Sequence, residues 1–282
     1  MSSTSTIWRS QPARGPRLPP VQSARGFKAV HVLDLDPDLG ATLPPARLAE
    51  ARSRLVARLH TVPQGPWAEA PALDADPGQL GLLILDGVVA RELLMDDNVS
   101  TELLGQGDLI RPWQTHGPSR LLRAEVRWTV LQSARMAALG PGFARALAQF
   151  PEIGPVLIER VTERAHRVAL GQAISQLNGV DRRILALFWH LAERWGRMTG
   201  DGVVVPLALP HRIIAQLVGA RRPTVSTAIV RLVEHGVLER RSGGTWVLHG
   251  EPVGLPTKQT ARVVELRRNR FQHAEAEAGA TV

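Results

Sequence analysis

The sequence predicts an α+β fold in three parts: a strand-rich N-terminal domain, one long helix, and a helix-rich C-terminal module closed by a hairpin. Three observations carry that prediction. Between positions 78 and 131, apolar runs alternate with turn signals about every 8–12 residues, the rhythm of an antiparallel β architecture. Residues 152–178 hold little Gly or Pro punctuation and an apolar repeat of helical period. Residues 179–250 run helix, strand, helix, glycine turn, helix, hairpin.

Residues 1–30 are rich in Ser, Pro and Arg. They lack the apolar core of a secretory signal. Arg- and Ser-rich without acids, they are superficially like a transit peptide, and they read as a disordered basic arm. The strand-rich domain is assigned to 31–150. Leu80–Leu85 and Val88–Leu94 are expected as strands joined by a hairpin turn at Asp86-Gly87, because both turn residues tolerate positive φ. Met95–Asn98 forms a second turn, Val99–Leu104 a strand, and Gly105–Asp108 a third turn before Leu109-Ile110. In Arg123–Leu131, Ala124, Val126, Trp128 and Val130 share one face, the period-two pattern of a half-buried strand. Strands so spaced suggest a sandwich, roll or barrel.

Phe143–Phe150 is expected as a short helix between Gly140-Pro141-Gly142 and Pro151. In the long helix, assigned to 151–178, Val161, Ala165, Val168, Gln172 and Ser175 form a coiled-coil-like seam, extended backward by Leu157 and Ile158. Such a seam packs either on its own domain or on a second chain, and pairing with a second copy is the expectation.

In residues 179–250, Asp181 is expected to cap a helix running to about Arg197, which places Ile184, Phe188, Leu191 and Trp195 on one face. Val203–Leu207 is a short strand, and His211–Val218 is a short helix broken at Gly219-Ala220. Pro223–His235 is the next helix, with proline in its first turn and Gly236 as a positive-φ cap. Val237–Arg241 and Thr245–Leu248 flank Ser242-Gly243-Gly244 as a hairpin. This is the layout of a winged helix-turn-helix. Its second helix presents Arg221, Arg222, Pro223, Thr224, Ser226 and Thr227 outward, with Arg231 further along, His211 on the preceding helix, and Arg240 and Arg241 at the wing. Arg pairs bidentately with guanine in the major groove, and hydroxyls and helix N-termini suit phosphates. Residues 251–282 form a tail with a short helix near Ala261–Phe271.

Charge supports this placement. The net charge is +8, and all but two of the 34 basic residues are Arg, a skew that codon bias can produce. Its distribution is more telling. Residues 1–30 carry five basic and no acidic side chains, and 181–250 carry ten basic and five acidic. Residues 31–180 are mildly acidic, with 14 basic and 17 acidic.

Other chemistries find little support. The chain has no cysteine, which excludes disulfides, thiolate zinc sites, Cys-ligated iron–sulfur clusters and a cysteine nucleophile. It has no tyrosine, and no apolar run of membrane-spanning length. His31, His60 and His116 are scattered, and Asp86, Asp96, Asp97 and Asp108 sit in turns, where Asp is common for backbone reasons. No nucleophile elbow, P-loop or dinucleotide fingerprint occurs. No catalytic or metal-ligating residue is assigned, and an enzyme of the cupin type lacks its His and Glu cluster.

The stretch Ile213-Ile214-Ala215-Gln216-Leu217-Val218-Gly219-Ala220-Arg221-Arg222-Pro223-Thr224-Val225-Ser226 resembles the DNA-binding signature of the Crp/Fnr family of bacterial transcription regulators. Leu232, Gly236-Val237-Leu238 and Trp246-Val247-Leu248 extend the match. Leu83–Val89 and Gln106–Ile110 resemble that family's cyclic-nucleotide-binding β-roll, and Phe143 to Ile153 resembles the entry into its dimerisation helix. The resemblance implies an N-terminal β-roll, a long dimerisation helix and a C-terminal winged helix-turn-helix. It also implies a cytoplasmic homodimer on double-stranded DNA, with RNA polymerase as a further partner. In members that bind cyclic nucleotide, a Gly-Glu pair holds the ribose and an Arg-Ser or Arg-Thr pair the phosphate. Here Arg111-Pro112-Trp113 follows the Gly-Asp motif, and Ser119-Arg120 has the reverse order. The pocket of Arg111, Trp113, Ser119 and Arg120 is therefore expected to be degenerate, with no cofactor. In the recognition helix, Arg222 matches the first base-reading Arg, while Pro223 and Thr227 replace a Glu and a second Arg. A regulator that senses an unidentified small molecule in the roll and a non-specific nucleoid binder are the alternatives.

Overall fold

The computed structural model describes residues 28–70, 77–114 and 124–252. Most of the basic arm, Ser119-Arg120 and the expected helix near Ala261–Phe271 lie outside the described residues.

The first strand, β1 (Ala29–His31), takes in two residues assigned from sequence to the arm. It pairs antiparallel with β2 (Val56–Val62). Between them lie α1 (Val32–Leu35), a tight turn at Pro37–Gly40 and α2 (Pro45–Arg54). Pro45 opens α2, a position where the missing N–H has no intrahelical partner to lose. Val32, Leu33, Leu39, Ala51 and Leu55 bury against Phe143, Phe150 and Ile153, so these short helices cap one end of the domain.

The remaining strands are β3 (Gly65–Pro66), β4 (Gly81–Met95), β5 (Asn98–Leu104), β6 (Leu109–Ile110) and β7 (Glu125–Leu139). They form an antiparallel β-roll in the order β1-β2-β7-β4-β5, with β3 added to β7 and β6 to β4. Ile84, Val89, Leu104, Ile110, Trp128, Val130 and Met136 fill one core cluster of the roll.

One expectation fails here. Asp86-Gly87 is no hairpin turn, because β4 runs through it for 15 residues. The register against β7 slips around Asp86 and Val88, so the pair forms a bulge. Gly87 has φ 86°, and a Cβ there would stand 2.5 Å from the Ser133 carbonyl oxygen. The Asp86 carboxylate accepts from the backbone N–H of Arg135 at 3.1 Å and from its Nε at 2.5 Å. The true hairpin lies one turn signal later, at Asp96-Asp97, with Met95 paired to Asn98 and Asp96 at φ 51°.

After α3 (Pro141–Leu147), the long helix α4 (Ile153–Ser175) has two distinct faces. Its inner face is ionic. Arg160 donates to Asp36 at 2.5 and 2.7 Å. Arg164 grips Glu102 at 2.7 and 2.8 Å, and Arg167 meets Asp108 at 2.5 Å. Asp36 and Asp108 are buried, so each ion pair ties α4 to the N-terminal domain. On the outer face Ile158, Val161 and Val168 are 68%, 54% and 50% exposed, with Ala165 exposed among them. Leu157 departs from the expected seam and packs against the cap cluster.

The C-terminal module contains α5 (Val180–Trp195), β8 (Arg197–Thr199), β9 (Gly202–Val205), α6 (His211–Val218), α7 (Arg222–Glu234), β10 (Leu238–Arg240) and β11 (Trp246–Leu248). The strands form one antiparallel sheet in the order β10-β11-β9-β8. Strand β8 was not expected from sequence. Ile184, Phe188, Ile213, Ile214 and Trp246 anchor the module's core, and Val88, Ala90 and Leu103 of the roll join the same cluster. Polar contacts reinforce that junction: Arg212 to Glu92 at 2.5 Å and the Thr101 hydroxyl to Gln216 at 3.0 Å.

Candidate nucleic-acid interface

Helices α6 and α7 are joined by a three-residue turn, Gly219-Ala220-Arg221. Gly219 adopts φ 62°, ψ 46°, and the Ala220 N–H closes the end of α6 on the Ala215 carbonyl at 3.0 Å. This is the left-handed glycine cap. The sequence calls for a small residue there so that the helices can approach. The structure gives the glycine a different cause, since a Cβ would meet only Ser175 Cβ, at 3.6 Å. The backbone conformation, not crowding, calls for glycine. Gly236 ends α7 in the same way, at φ 67°.

Val225, Ala228, Ile229 and Leu232 bury the inner face of α7. Arg221, Arg222, Pro223, Thr224 and Thr227 are exposed and Ser226 is half-buried. The first turn of α7 has no acidic residue and its N-cap Arg221 makes no side-chain cap, so the positive end of the helix faces outward. Arg221 and Arg222 enter no ion pair among the described residues.

Of the other expected contacts, several are engaged within the protein. His211 Nδ1 lies 3.0 Å from the Ser226 hydroxyl, linking α6 to α7. Burial holds the His211 imidazole below its usual range, and the charges of Arg240 and then Arg222 push it the same way. His211 is therefore neutral at pH 7 and adds no charge to the face. Arg231 pairs with Asp181 at 2.8 Å, which raises its guanidinium further. Arg241 bonds Glu239 at 3.1 Å and Asp201 at 3.2 Å. Arg240 lies over the Trp246 ring, 5.4 Å from its centroid, and is held by the wing with its charge exposed. Arg221, Arg222 and Arg240 are thus the uncommitted cations of this face. Val230, 55% exposed on α7, was missed, although its spacing of four from Ser226 was the signal that places it there.

In the roll, Arg111 is pinned to the rim by the Leu80 carbonyl at 2.7 Å, and Trp113 packs against the interior. A cavity of about 390 Å³ remains, bordered by Arg91, Arg111, Gln114, Trp128, Val161 and Arg164. Arg91 and Arg164 share Glu102, at 3.6 and 2.7 Å. Arg91 and Arg164 were not singled out from sequence, because strand β4 and helix α4 bring them together across a long separation. Among the described residues no cluster of metal-ligating side chains occurs, and no helix is long and apolar enough to cross a membrane.

Residues 182–251 match the family model of the Crp-like helix-turn-helix domain. A CRP-like cAMP-activated global transcriptional regulator of Mycobacterium tuberculosis is 25% identical over 171 residues, 58% of this chain and 73% of that protein. Among solved structures, a CooA mutant from Carboxydothermus hydrogenoformans superposes with a TM-score of 0.54 at 17% identity, covering 74% of this chain and 87% of its own. A cyclic nucleotide-binding domain containing protein from Listeria monocytogenes also gives 0.54, at 15% identity, covering 76% of this chain and 96% of its own. Fold and sequence converge: residues 182–251 match a Crp-like helix-turn-helix domain, it stands behind a β-roll and a long connecting helix, and the chain is similar in sequence to a CRP-like transcriptional regulator.

Proposed function

We propose that the protein binds DNA sequence-specifically as a homodimer on a near-palindromic operator, with α7 of each copy in successive major grooves about 34 Å apart. The observation that carries this is the acid-free first turn of α7, where Arg221 and Arg222 stand exposed without carboxylate partners among the described residues. Arg222 reads a guanine, and Arg221, Arg240 and the α7 N-terminus hold phosphates. The outer seam of α4 supplies the dimer contact. The regulator works in the cytoplasm, through RNA polymerase, and carries no catalytic activity. Cyclic nucleotide is not its effector: Gly107-Asp108 is followed by no Gly-Glu pair, and none of the described residues bordering the cavity is a carboxylate. A second reading rests on that same cavity, whose arginines favour an anionic small-molecule effector.

The test is competitive selection of genomic fragments against random duplex. Arg222→Ala is expected to weaken the selected site by about 1–3 kcal/mol and to relax preference at one base pair. Equal loss on selected and random DNA would reduce Arg222 to a phosphate contact. Steep salt dependence with no sequence preference would make the protein a non-specific binder.

A further inference from the structure

Three of the six polar side chains of α7, Ser226, Thr227 and Arg231, are committed inside the protein. Ser226 bonds His211 at 3.0 Å and Arg231 bonds Asp181 at 2.8 Å. The Thr227 hydroxyl donates to the Pro223 carbonyl at 3.2 Å, which leaves its methyl and an acceptor lone pair, but no donor, to meet a base. At about 100° per residue, Pro223, Thr227 and Val230 stand in one line along the helix. That line lies opposite the buried Val225, Ala228 and Leu232. Val230 is 55% exposed, and no described residue covers it. The face most directly outward is therefore a ridge of carbon, flanked by the charges of Arg221 and Arg222. Glu234 continues the same line, and its carboxylate repels phosphate, so the contact stops at Val230.

We propose that this ridge reads thymine methyl groups, so that each half-site carries T·A pairs next to the pair read by Arg222. This rests on α7 entering the major groove as described above. There thymine is set apart from cytosine by its C5 methyl, and apolar side chains are what meet it. Pro223 offers no side-chain donor or acceptor to a base edge, and Thr227, its only hydroxyl proton engaged by the helix, has no donor left for a base, so its methyl is the group that can favour thymine. The flanking arginines keep the ridge against the polyanion and orient it toward bases.

The test uses the full chain and a random duplex library. After enrichment and sequencing, the selected site is resynthesised with deoxyuridine for thymidine. That change deletes the methyl and leaves every hydrogen-bonding edge intact. At the contacted positions each replacement is expected to weaken binding about fourfold, the equivalent of the roughly 0.8 kcal/mol of one buried methyl-sized group. Thr227→Ser, which keeps the hydroxyl, and Val230→Ala are expected to bind thymine and uracil sites more nearly alike. Both positions are at the surface, so circular dichroism should match the parent. Equal binding of the two sites by the parent protein overturns the methyl reading and leaves DNA recognition standing. Failure to enrich any sequence overturns both.

Discussion

Asp108 shows how a turn residue becomes a keystone. Its carboxylate accepts the Gly105 N–H at 2.9 Å, the backbone role expected of Asp in such a turn. The same carboxylate, buried at 3% exposure, meets Arg167 of α4 at 2.5 Å and Arg194 of α5 at 2.8 Å. It thus joins the roll, the long helix and the first helix of the DNA-binding module. Removing it leaves two mostly buried guanidiniums facing one another, with the largely exposed Glu163, 4.0 Å from Arg167, as the nearby counter-charge. Breaking a buried pair from one side costs far more than the pair is worth intact. Asp108→Ala is therefore expected to lose about 3–5 kcal/mol of stability in urea unfolding at pH 7. Asp108→Asn keeps an acceptor for Gly105 and should fall between. A loss under about 1 kcal/mol for the alanine variant would mean that solvent, not Asp108, neutralises the arginines.

At the scale of elements, two glycines of similar φ separate steric from conformational demand. Gly87 in the β4 bulge has φ 86°, and a Cβ added there would stand 2.6 Å from Ala134 Cα on the β7 backbone. Gly236 after α7 has φ 67° and nothing within 4 Å. Gly236→Ala incurs only the left-handed penalty, about 1 kcal/mol. Gly87→Ala must also push two paired strands apart and is expected to cost at least about 2 kcal/mol more, read as the difference between their thermal melting points. Equal shifts would show that the bulge yields without strain. These glycines also mark what the sequence could convey. Helix periodicity located α5, α6 and α7 closely, and the glycines after α6 and α7 marked their ends, because those signals are local; Asp181, expected to cap α5, lies instead in its first turn behind Gly179. The Asp86-Gly87 pair signalled positive φ correctly, but bulge and hairpin demand the same local chemistry, and only pairing with β7 across some 49 positions decides between them. The inner face of α4 was equally hidden: Arg160, Arg164 and Arg167 look like a solvated charge stripe until Asp36, Glu102 and Asp108 are brought beneath them. On α7, the exposed positions were legible from period alone, whereas the hydroxyls of Ser226 and Thr227 were assigned to phosphate because their internal acceptors do not show in the sequence.

For the whole molecule, the two faces of α4 divide the labour. The ionic face binds the helix to its own chain. The apolar face, with Ile158 and Val168 exposed by 68% and 50%, has no partner among the described residues and is where the proposed dimer closes. A homodimer doubles the recognition helices, and linking two weak half-site contacts raises affinity by about 10²–10⁴ without any new contact to DNA. The proposal therefore couples oligomeric state to operator binding. Ile158→Glu with Val168→Glu places like charges across a two-fold seam and leaves Arg160, Arg164 and Arg167 on their own carboxylates. The variant is expected to keep the parent's circular dichroism, to sediment as a monomer at micromolar concentration, and to lose about 100-fold or more in affinity for a full palindrome. Its affinity for an isolated half-site should barely change, because α7 is untouched. A variant that still sediments as a dimer would place the interface elsewhere. A monomer that binds the palindrome undiminished would show that one reading helix suffices, and that the outward seam of α4 serves something other than DNA recognition.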